Sequence, residues 1–271
     1  MCEVLSVSRA GYYAWRERKE SAHALRDRVL TAKIQEIHER SRRAYGVPRV
    51  FKVLSRQGER CGRKRVARIM RLQGLVGAKS VRRSSWKAGA RQGDISSPNL
   101  LLRRFDPRAH LLNRVWIGDF TEVPTGDGTL YLAIVLDLRS REIVGWSMQS
   151  TRDAIMLIEA LEMALDDRRP QPGLIFHSDQ GSQYSSGAFR AVLKANNITQ
   201  SMSRKGNCWD NAPAESFFAT LKAEVEELQR PRTRAAARAA IFEYIAVFYN
   251  AQRLHSSIEY QTPALVGREA A

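Results

Sequence analysis

The chain has 271 residues, 44% of them apolar, which is enough for one large hydrophobic core and a smaller one. No apolar run approaches the roughly 20 residues needed to cross a bilayer, and the first residues lack the basic-then-apolar layout of a signal peptide. The three cysteines are too far apart for a disulfide framework or a zinc site, which fits a reducing compartment. We therefore expect a cytoplasmic protein with no membrane partner.

The net charge of +16 is unevenly distributed along the chain. Residues 1–104 hold 26 Lys/Arg and 8 Asp/Glu, whereas residues 105–271 hold 18 and 20, so the whole excess lies in the first two-fifths. Such a concentration of charge costs self-repulsion unless a polyanion relieves it, although a solubilising surface gives the same excess. We expect an N-terminal part that binds a polyanion, joined to a nearly neutral part with another role.

The first third of the chain has the pattern of short helices. We predict an N-terminal helical segment over 1–24, an amphipathic helix over 25–40, and a second helix with Pro48 in its first turn. The buried face of the amphipathic helix is expected to carry the apolar residues at helical spacing, which are Leu25, Val29, Leu30, Ile34 and Ile37.

A basic third helix follows a turn that contains Gly58 and Gly62, and it ends at Gly74. A helix, a glycine-bearing turn and a basic helix are typical of the helix-turn-helix motif, whose second helix lies in the major groove of DNA. We assign residues 25–80 to this DNA-binding domain, although any three-helix bundle can show the same pattern. The expected DNA contacts are Arg49, Arg63, Lys64, Arg65 and Arg68.

Residues 81–112 have no sustained period and are rich in arginine, which predicts a basic linker lying along phosphates. From Arg114 the pattern changes to three apolar strands joined by hairpin turns, followed by a helix, a short strand, a helix and a last strand. This order predicts an α/β domain over 113–228, with a mixed five-stranded sheet covered by helices, as in the ribonuclease H-like fold. Residues 229–271 are predicted to form a helix and a tail packed on this core.

Three carboxylates stand out from the surface charges. Asp119 lies inside an apolar strand, where an unpaired carboxylate costs several kcal/mol. Asp179 directly follows the fourth strand, at a position where ligands meet α/β folds, and Gly181 lets the backbone turn beside it. Glu215 begins a helix off the edge of its apolar stripe, although the helix dipole alone favours Glu in a first turn.

Together the three carboxylates fit Mg²⁺ (or Mn²⁺), because such hard cations take oxygen ligands. Two ions about 3.5–4 Å apart are the arrangement that serves in-line phosphoryl transfer. We therefore predict Asp119, Asp179 and Glu215 as catalytic and metal-binding residues holding two ions. Asp137, on the neighbouring strand, is a rival ligand that the alternation of a strand does not exclude.

Four blocks of the chain resemble a known family. They are Trp116–Thr121, His177–Tyr184, Ser203–Phe218 and Phe248–Ser257, and 35 residues separate Asp179 from Glu215. In this order and spacing they resemble the second-frame protein of insertion sequences of the IS3 family, in the DDE transposase and retroviral-integrase superfamily. The resemblance extends to the helix-turn-helix segment around Tyr45–Arg49.

The resemblance implies a DNA transposase, with Asp119, Asp179 and Glu215 as its metal-binding triad. Hydrolysis at a transposon end leaves a 3′-OH, which then attacks another phosphodiester without a covalent enzyme intermediate. It also implies the partners: transposon ends and target duplex, a protein from an upstream reading frame or a frameshift fusion with it, and further copies of the chain assembled on DNA. The expected location is the bacterial cytoplasm, in association with the nucleoid.

Several residues near the triad have two interpretations. His177 either contacts the phosphate or makes a structural hydrogen bond at the strand end. Arg204 and Lys205 either hold DNA near the scissile bond or belong to a solvated loop. Trp209 is expected to pack rather than to stack on a base. The tail residues Tyr249, Asn250, Arg253 and His255 are expected to pack on the core rather than to react.

Two other functions are compatible with parts of the pattern. A DNA-binding regulator derived from a transposase would need no catalysis, and three intact carboxylates speak against it. A nuclease of ribonuclease H-like fold would only hydrolyse, and its site chemistry differs from strand transfer in the nucleophile alone. The basic N-terminal module favours an enzyme that binds DNA ends.

Overall fold

The structure is a computed structural model that describes residues 2, 4–78, 97–204, 208–228 and 231–269. The chain divides into two units, Met1–Gly77 and Ala78–Ala271. The boundary between them lies three residues before the end that the sequence predicts for the DNA-binding domain. Across the described residues, none of the helices has the length and apolar character needed to span a membrane.

The N-terminal unit contains four helices, and the helix-turn-helix pattern predicted from the sequence lies in the last three. Their bounds are α1 Arg9–Arg16, α2 Ala22–Arg40, α3 Val47–Arg56 and α4 Arg63–Leu72. Helix α2 begins before residue 25 because the Ser21 hydroxyl accepts a hydrogen bond from Ala24 N (3.2 Å) and caps it. The small core is formed by Leu30, Ile34, Val50, Leu54, Val66, Ile69 and Met70.

The expectation that Leu25 and Val29 are buried is wrong, because their exposed fractions are 49% and 48%. The N-terminal half of α2 meets α4 through ion pairs instead of apolar contacts. Asp27 receives hydrogen bonds from Arg65 Nε (2.6 Å) and from Arg68. The helical spacing of apolar residues correctly predicted the helix. Which of these residues are buried depends on the packing of α2 against α4, which is polar at the N-terminal half of α2.

The second unit is built on a mixed five-stranded sheet, as the sequence predicts, and the strand order is β3-β2-β1-β4-β5. Strands β1 to β3 are antiparallel, and β4 and β5 run parallel to β1. Helices follow β3, β4 and β5, which is the ribonuclease H-like arrangement. The bounds are β1 Val115–Thr125, β2 Gly128–Asp137, β3 Ile143–Gln149, α5 Ala154–Arg168, β4 Ile175–Ser178, α6 Gly187–Ala195, β5 Thr199–Met202 and α7 Ala212–Glu224.

The main core lies between this sheet and helices α5 and α6. Trp116 and Phe176 on the central strands pack with Leu157 and Leu161 of α5 and with Phe189 of α6. Ile155, which the helical period places inside, is instead 61% exposed. It lies in the first turn of α5, where Met156 and Leu157 are the residues that face the core, so Ile155 lies on the outer side of the helix.

Part of the predicted linker packs on the second unit, and we call its described residues 97–112 the strap. Residues 79–96 lie outside the described residues, but the following segment runs along β5. Ser97 Oγ donates to Gln200 Oε1 (3.0 Å), Met202 N donates to Pro98 O (3.3 Å), and Leu101 is buried. A 3₁₀ turn follows at Pro107–Ala109. The first described residues of the predicted linker are therefore packed on the second unit, through the contacts of Ser97 and Pro98 with β5 and the burial of Leu101.

The C-terminal tail packs on the core as the sequence predicts. Its elements are α8 Arg234–Phe242, a π-helical segment Glu243–Tyr249 and α9 Pro263–Glu269. The Asn250 side chain donates to Ile143 O (2.9 Å) and accepts from Ile143 N (3.0 Å), which attaches the tail to the start of β3. The ring of Tyr249 lies edge-on to Phe217 of α7, with 4.8 Å between centroids.

Candidate active site

Asp119, within β1, and Asp179, directly after the end of β4, lie side by side on two neighbouring strands of the sheet. Strands β1 and β4 are parallel, with Ile117 opposite His177. Asp119 comes two residues after Ile117, and Asp179 comes two residues after His177. The two aspartates are therefore at the same height along the paired strands and, because side chains alternate along a strand, on the same face of the sheet. Asp119 is only 2% exposed and Asp179 is half-buried. The sheet therefore brings together two of the three predicted carboxylates.

The turn after β4 shapes the position of Asp179. Its Oδ1 atom accepts a hydrogen bond from Gly181 N (3.0 Å), so the carboxylate closes a short loop directly after the strand. A Cβ atom at residue 181 would lie 3.0 Å from the same oxygen. A side chain at residue 181 would therefore crowd the Asp179 carboxylate, and Gly181 does not adopt the left-handed backbone conformation that would require glycine.

A buried tyrosine lies close to both aspartates. Burial raises the pKa of Tyr184, and the negative charges of Asp119 and Asp179 raise it further. A Cβ atom at Gly118 would lie 2.3 Å from the Phe176 ring and 3.3 Å from the Tyr184 ring. The rings of Phe176 and Tyr184 therefore pack beneath the part of the sheet that carries the two aspartates. In the sequence these residues are marked only by the family resemblance of the blocks that contain or adjoin them.

Glu215 reaches the site on the first turn of α7. Helix α7 lies along β1, since Asn211 Nδ2 donates to Gly118 O (3.4 Å) before its first turn and Lys222 Nζ donates to Thr121 Oγ1 (2.7 Å) further along. Glu215 is half-buried, and its Oε1 atom is fully shielded from solvent. The N-terminal end of α7 is therefore held at the part of β1 that carries Asp119.

The donor set consists of oxygen atoms alone, which fits hard cations such as Mg²⁺ or Mn²⁺ better than zinc or copper. In the described ranges no three His, Cys, Asp or Glu side chains are gathered closely enough to form a ready metal-ligand cluster. The three carboxylates lie on adjoining parts of the second unit: Asp119 in β1, Asp179 directly after β4 and Glu215 in the first turn of α7.

Asp137, the rival ligand, occupies a different place. It pairs with Trp116, three residues before Asp119 on β1, which is about 10 Å away along the strand. Its Oδ2 accepts from Asn113 N (2.8 Å), and its Oδ1 accepts from Ser140 N (2.8 Å) and Ser140 Oγ (2.9 Å). These bonds organise the turn between β2 and β3, so the structure favours a structural role for Asp137.

His177 makes structural hydrogen bonds, which is one of its two predicted interpretations. It is fully buried, and burial lowers its pKa, which favours the neutral ring. Its Nε2 lies 2.7 Å from Asp210 O, so this nitrogen carries the proton, and Nδ1 accepts from Ser201 Oγ (2.8 Å). His177 therefore connects β4 with β5 and with the turn that precedes α7.

Arg204 is engaged with a residue that the sequence did not single out. Its Nε donates to Asp210 Oδ2 (2.9 Å), and its Nη2 donates to Asp210 Oδ1 (3.1 Å). The Arg204 side chain is 57% exposed, so part of its guanidinium still faces solvent, whereas the Asp210 side chain is fully buried. Lys205, the other basic residue predicted at this loop, lies outside the described residues.

Trp209 does not pack into the core as expected. It lies in the 3₁₀ turn Cys208–Asn211 and is 61% exposed, among the most exposed large apolar side chains of the described part of the second unit. The next two residues, Asp210 and Asn211, are both buried. The turn therefore buries its polar residues and exposes its aromatic one, which reverses the usual hydrophobic order.

The basic helix α4 carries two kinds of cation. Arg63 and Lys64 are exposed, whereas Arg65 and Arg68 pair with Asp27 of α2. The guanidinium of Arg49 on α3 lies over the Tyr45 ring, 5.7 Å from its centroid. Of the predicted DNA contacts, Arg63 and Lys64 are thus the most available for phosphates, and the other three also hold the unit together.

We expect the double substitution Arg63→Ala, Lys64→Ala to weaken DNA binding and to flatten its salt dependence. Each phosphate contact adds about 0.9 to the slope of log K against log salt concentration, so the slope falls by about 1.8 if both residues contact phosphates. Fluorescence anisotropy across a salt series measures it. The matched control is Arg40→Ala, Arg56→Ala, which removes two exposed charges from other helices. Equal slopes for the two double variants contradict the assignment of α4.

Family models match both units of the chain. An HTH-like domain model matches residues 24–84, and two integrase core domain models match residues 109–208 and 196–263. Among solved structures, the magnesium-bound catalytic core domain of HTLV-2 integrase is 17% identical, covering 58% of this chain and 97% of that chain with a TM-score of 0.44. A simian T-cell lymphotropic virus intasome is 14% identical, covering 80% and 73% with a TM-score of 0.48.

Curated relatives are much closer in sequence. The transposase for insertion sequence element IS904 of Lactococcus lactis is 41% identical over 91% of this chain and 96% of its own length. Transposase InsF for insertion sequence IS3A of Escherichia coli is 40% identical over 94% and 88%. A 31 kDa protein of insertion element IS600 from Shigella sonnei is 40% identical over 97% and 96%. With its HTH-like unit, its integrase core and these near full-length matches, the chain belongs to the IS3 family of insertion-sequence transposases, within the transposase and integrase superfamily of polynucleotidyl transferases.

Proposed function

We propose that this chain cuts the DNA ends of an insertion sequence and joins them to new DNA, with Asp119, Asp179 and Glu215 holding two Mg²⁺ or Mn²⁺ ions. The observation that carries the proposal is the placement of the carboxylates. Two stand at one level on parallel neighbours β1 and β4, and the third stands in the first turn of α7, which is attached to the same part of β1. Cations bound there would stabilise the charge on the attacking and leaving oxygens of an in-line phosphoryl transfer.

The residues of the chain have separate tasks in this reaction. Asp119, within β1, and Asp179, which follows β4 and accepts a hydrogen bond from Gly181 N, keep fixed positions on the sheet. Glu215 approaches from the helix and completes the carboxylate set. Arg63 and Lys64, with Arg49, Arg65 and Arg68, contact the transposon end, and the exposed part of Arg204, with Lys205, lies near the scissile phosphate. The DNA affinity comes mainly from such cations.

The reaction balances without an external energy source. Hydrolysis breaks one phosphodiester bond and leaves a 3′-OH at the transposon end. In strand transfer this 3′-OH loses its proton and attacks a target phosphodiester, so that one bond forms while another breaks and the target's 3′-oxygen leaves. The number of phosphodiester bonds stays constant in the second step, so no nucleotide cofactor is needed.

A strand-transfer assay separates this function from its rivals. A labelled, pre-cut transposon end is incubated with a supercoiled plasmid and Mg²⁺ or Mn²⁺, and we expect label covalently joined to plasmid DNA in denaturing gels. An end that lacks the 3′-OH, made with a terminal dideoxynucleotide, should bind equally well and give no joined product. Cleavage without any joining would indicate a nuclease, and binding without either reaction would indicate a regulator.

We also propose that the active assembly holds several copies of the chain on DNA and includes an upstream-frame protein or a fusion with it. A stable coiled-coil dimer needs three or four heptads, about 21–28 residues. Helix α2 has only 19 residues, and its ion pairs with α4 and with Glu59 in the turn between α3 and α4 occupy part of its surface. One helix-turn-helix also reads few base pairs.

The purified chain should therefore be mainly monomeric in light scattering at micromolar concentration without DNA. Its preference for transposon ends over random duplex should be weak in competition binding, because one small reading unit supplies little specificity. Adding the upstream-frame protein should raise both the mass of the complex and its preference for ends. A stable dimer or tetramer of the lone chain with strong end discrimination would contradict this partner proposal.

A further inference from the structure

A buried carboxylate at the turn before α7 is the strongest unexplained feature of the second unit. The side chain of Asp210 has no exposed surface, yet it stands beside the exposed Trp209 in a turn of only four residues. A buried charge is retained only where partners compensate it. Asp210 has such partners on both of its oxygens, and they come from two separate segments of the chain.

The partners surround Asp210 from the strap and from the end of β5. Asn99 Nδ2 donates to Oδ2 (3.0 Å) and Arg103 Nε donates to Oδ1 (2.7 Å), both from the strap that follows residue 96. Arg204 donates to both oxygens through its side chain and to Oδ2 through its backbone N (3.1 Å). These charge-assisted bonds hold the pKa of Asp210 far below its usual range.

The backbone of Asp210 is held as firmly as its side chain. Leu100 N donates to Ser201 Oγ (2.9 Å), Ser201 Oγ donates to His177 Nδ1, and His177 Nε2 donates to Asp210 O. This relay joins the strap, β5 and β4 to the turn. The next residue, Asn211, donates to Gly118 O on β1. The turn is therefore tied to both strands that carry the catalytic aspartates, one residue before Asp119 and two residues before Asp179.

We propose that Asp210 is a positioning residue, which fixes the start of α7 so that Glu215 stands in register with Asp119 and Asp179. Glu215 lies five residues after Asp210, across one turn of helix, so a shift of the turn displaces its carboxylate. The inference rests on the proposed function, since it concerns the alignment of the same three carboxylates. We name Asp210, Asn99, Arg103 and Arg204 the Asp210 clamp.

The test is Asp210→Asn, with Asp106→Asn as the matched control. Asp106 is an exposed strap residue that also pairs with an arginine, Arg108, and accepts a backbone hydrogen bond in a turn, so the control removes a similar charge without disturbing the start of α7. Losing a residue that orients a metal ligand typically costs about 10–100-fold in activity or metal affinity. For Asp210→Asn we expect single-turnover cleavage at saturating DNA to fall by that factor and the half-saturating Mn²⁺ concentration to rise.

DNA affinity should move in the opposite direction or stay unchanged, because the substitution removes a negative charge and releases the guanidiniums of Arg103 and Arg204. A role in folding alone would lower cleavage and binding together, in proportion to the folded fraction. Hydrogen exchange gives a readout without activity: peptides covering residues 208–221 should exchange faster in Asp210→Asn, while peptides from β1 and β2 match wild type.

A second pair of variants keeps the test decisive if Asp210→Asn folds poorly. Arg103→Ala removes one half-exposed arm of the clamp, and Arg103→Lys keeps its charge, so cleavage should fall with alanine and recover in part with lysine. Wild-type rates and wild-type exchange in Asp210→Asn, or in Arg103→Ala where the first variant is unfolded, overturn the inference. If the wild-type protein shows no cleavage or joining activity, the proposed function is wrong. The hydrogen-exchange measurement still shows in that case whether the Asp210 clamp fixes the start of α7.

Discussion

Asp119→Asn, Asp179→Asn and Glu215→Gln should each reduce strand cleavage below detection while melting temperature and DNA binding stay close to wild type. Each substitution conserves volume and removes the negative charge that a hard divalent cation requires. The amide oxygen of asparagine can still accept the bonds that Asp119 takes from Phe120 N (2.9 Å) and Asp179 takes from Gly181 N. The fold around each site is therefore expected to survive the substitution.

Thermal melts, gel shifts and a cleavage assay on the same preparations measure these effects. Glu122→Gln is the matched control, because Glu122 is an exposed carboxylate on the same strand as Asp119 and pairs with Arg152 (3.6 Å). It should retain cleavage. A triad variant that cleaves as well as Glu122→Gln would remove its residue from the site.

Arg253→Met should destabilise the second unit by about 3–5 kcal/mol, because it leaves the buried carboxylate of Glu224 without its cation. The two side chains are 3% and 4% exposed, and Arg253 Nε and Nη2 donate to Glu224 Oε2 (2.7 Å) and Oε1 (2.6 Å). Tyr244 OH donates to the same Oε2 (2.9 Å). In a unit of this size the loss corresponds to a fall of roughly 6–20 °C in melting temperature.

Replacing the whole polar cluster should recover much of this loss. The triple variant Arg253→Met, Glu224→Leu, Tyr244→Phe leaves no unpaired polar group, and apolar replacements of buried ion pairs are often neutral or stabilising. Calorimetry or thermal denaturation followed by circular dichroism compares the single and triple variants. If Arg253→Met melts with wild type, the ion pair does not attach the tail to α7, and the tail depends on other contacts.

These buried hydrogen bonds give a structural role to the block Phe248–Ser257, which the sequence identifies only through its family resemblance. Arg253 bonds Glu224 at the end of α7, Asn250 bonds the backbone of β3, and Tyr249 packs on Phe217. The predicted packing of Tyr249, Asn250 and Arg253 on the core is confirmed. Helix α7 is thus held at its start by the turn at Asp210 and at its end by the tail, with Glu215 between them.

The sequence by itself determined the elements and their order. Apolar alternation, helical spacing and glycine-bearing turns depend on neighbours a few residues apart, so the five strands and the helix-turn-helix pattern were predictable within a few positions. The block order and the 35-residue spacing identified the family and with it the three carboxylates. The parallel pairing of β1 with β4, which sets Asp119 beside Asp179, is visible only in the tertiary structure, because the order of strands along the chain does not fix their neighbours in the sheet.

Only the tertiary structure decided which polar residues serve the architecture. Asn99 and Asp210 are 111 residues apart and Arg253 and Glu224 are 29 apart, and no local period reports a bond across such distances. The same limit applies to Asp137, whose three bonds come from Asn113 and Ser140. Whether a charged side chain is buried depends on which distant segments pack against it. A carboxylate in an apolar strand can therefore be a metal ligand or can hydrogen-bond the groups of a turn, and only its neighbours in space distinguish the two roles.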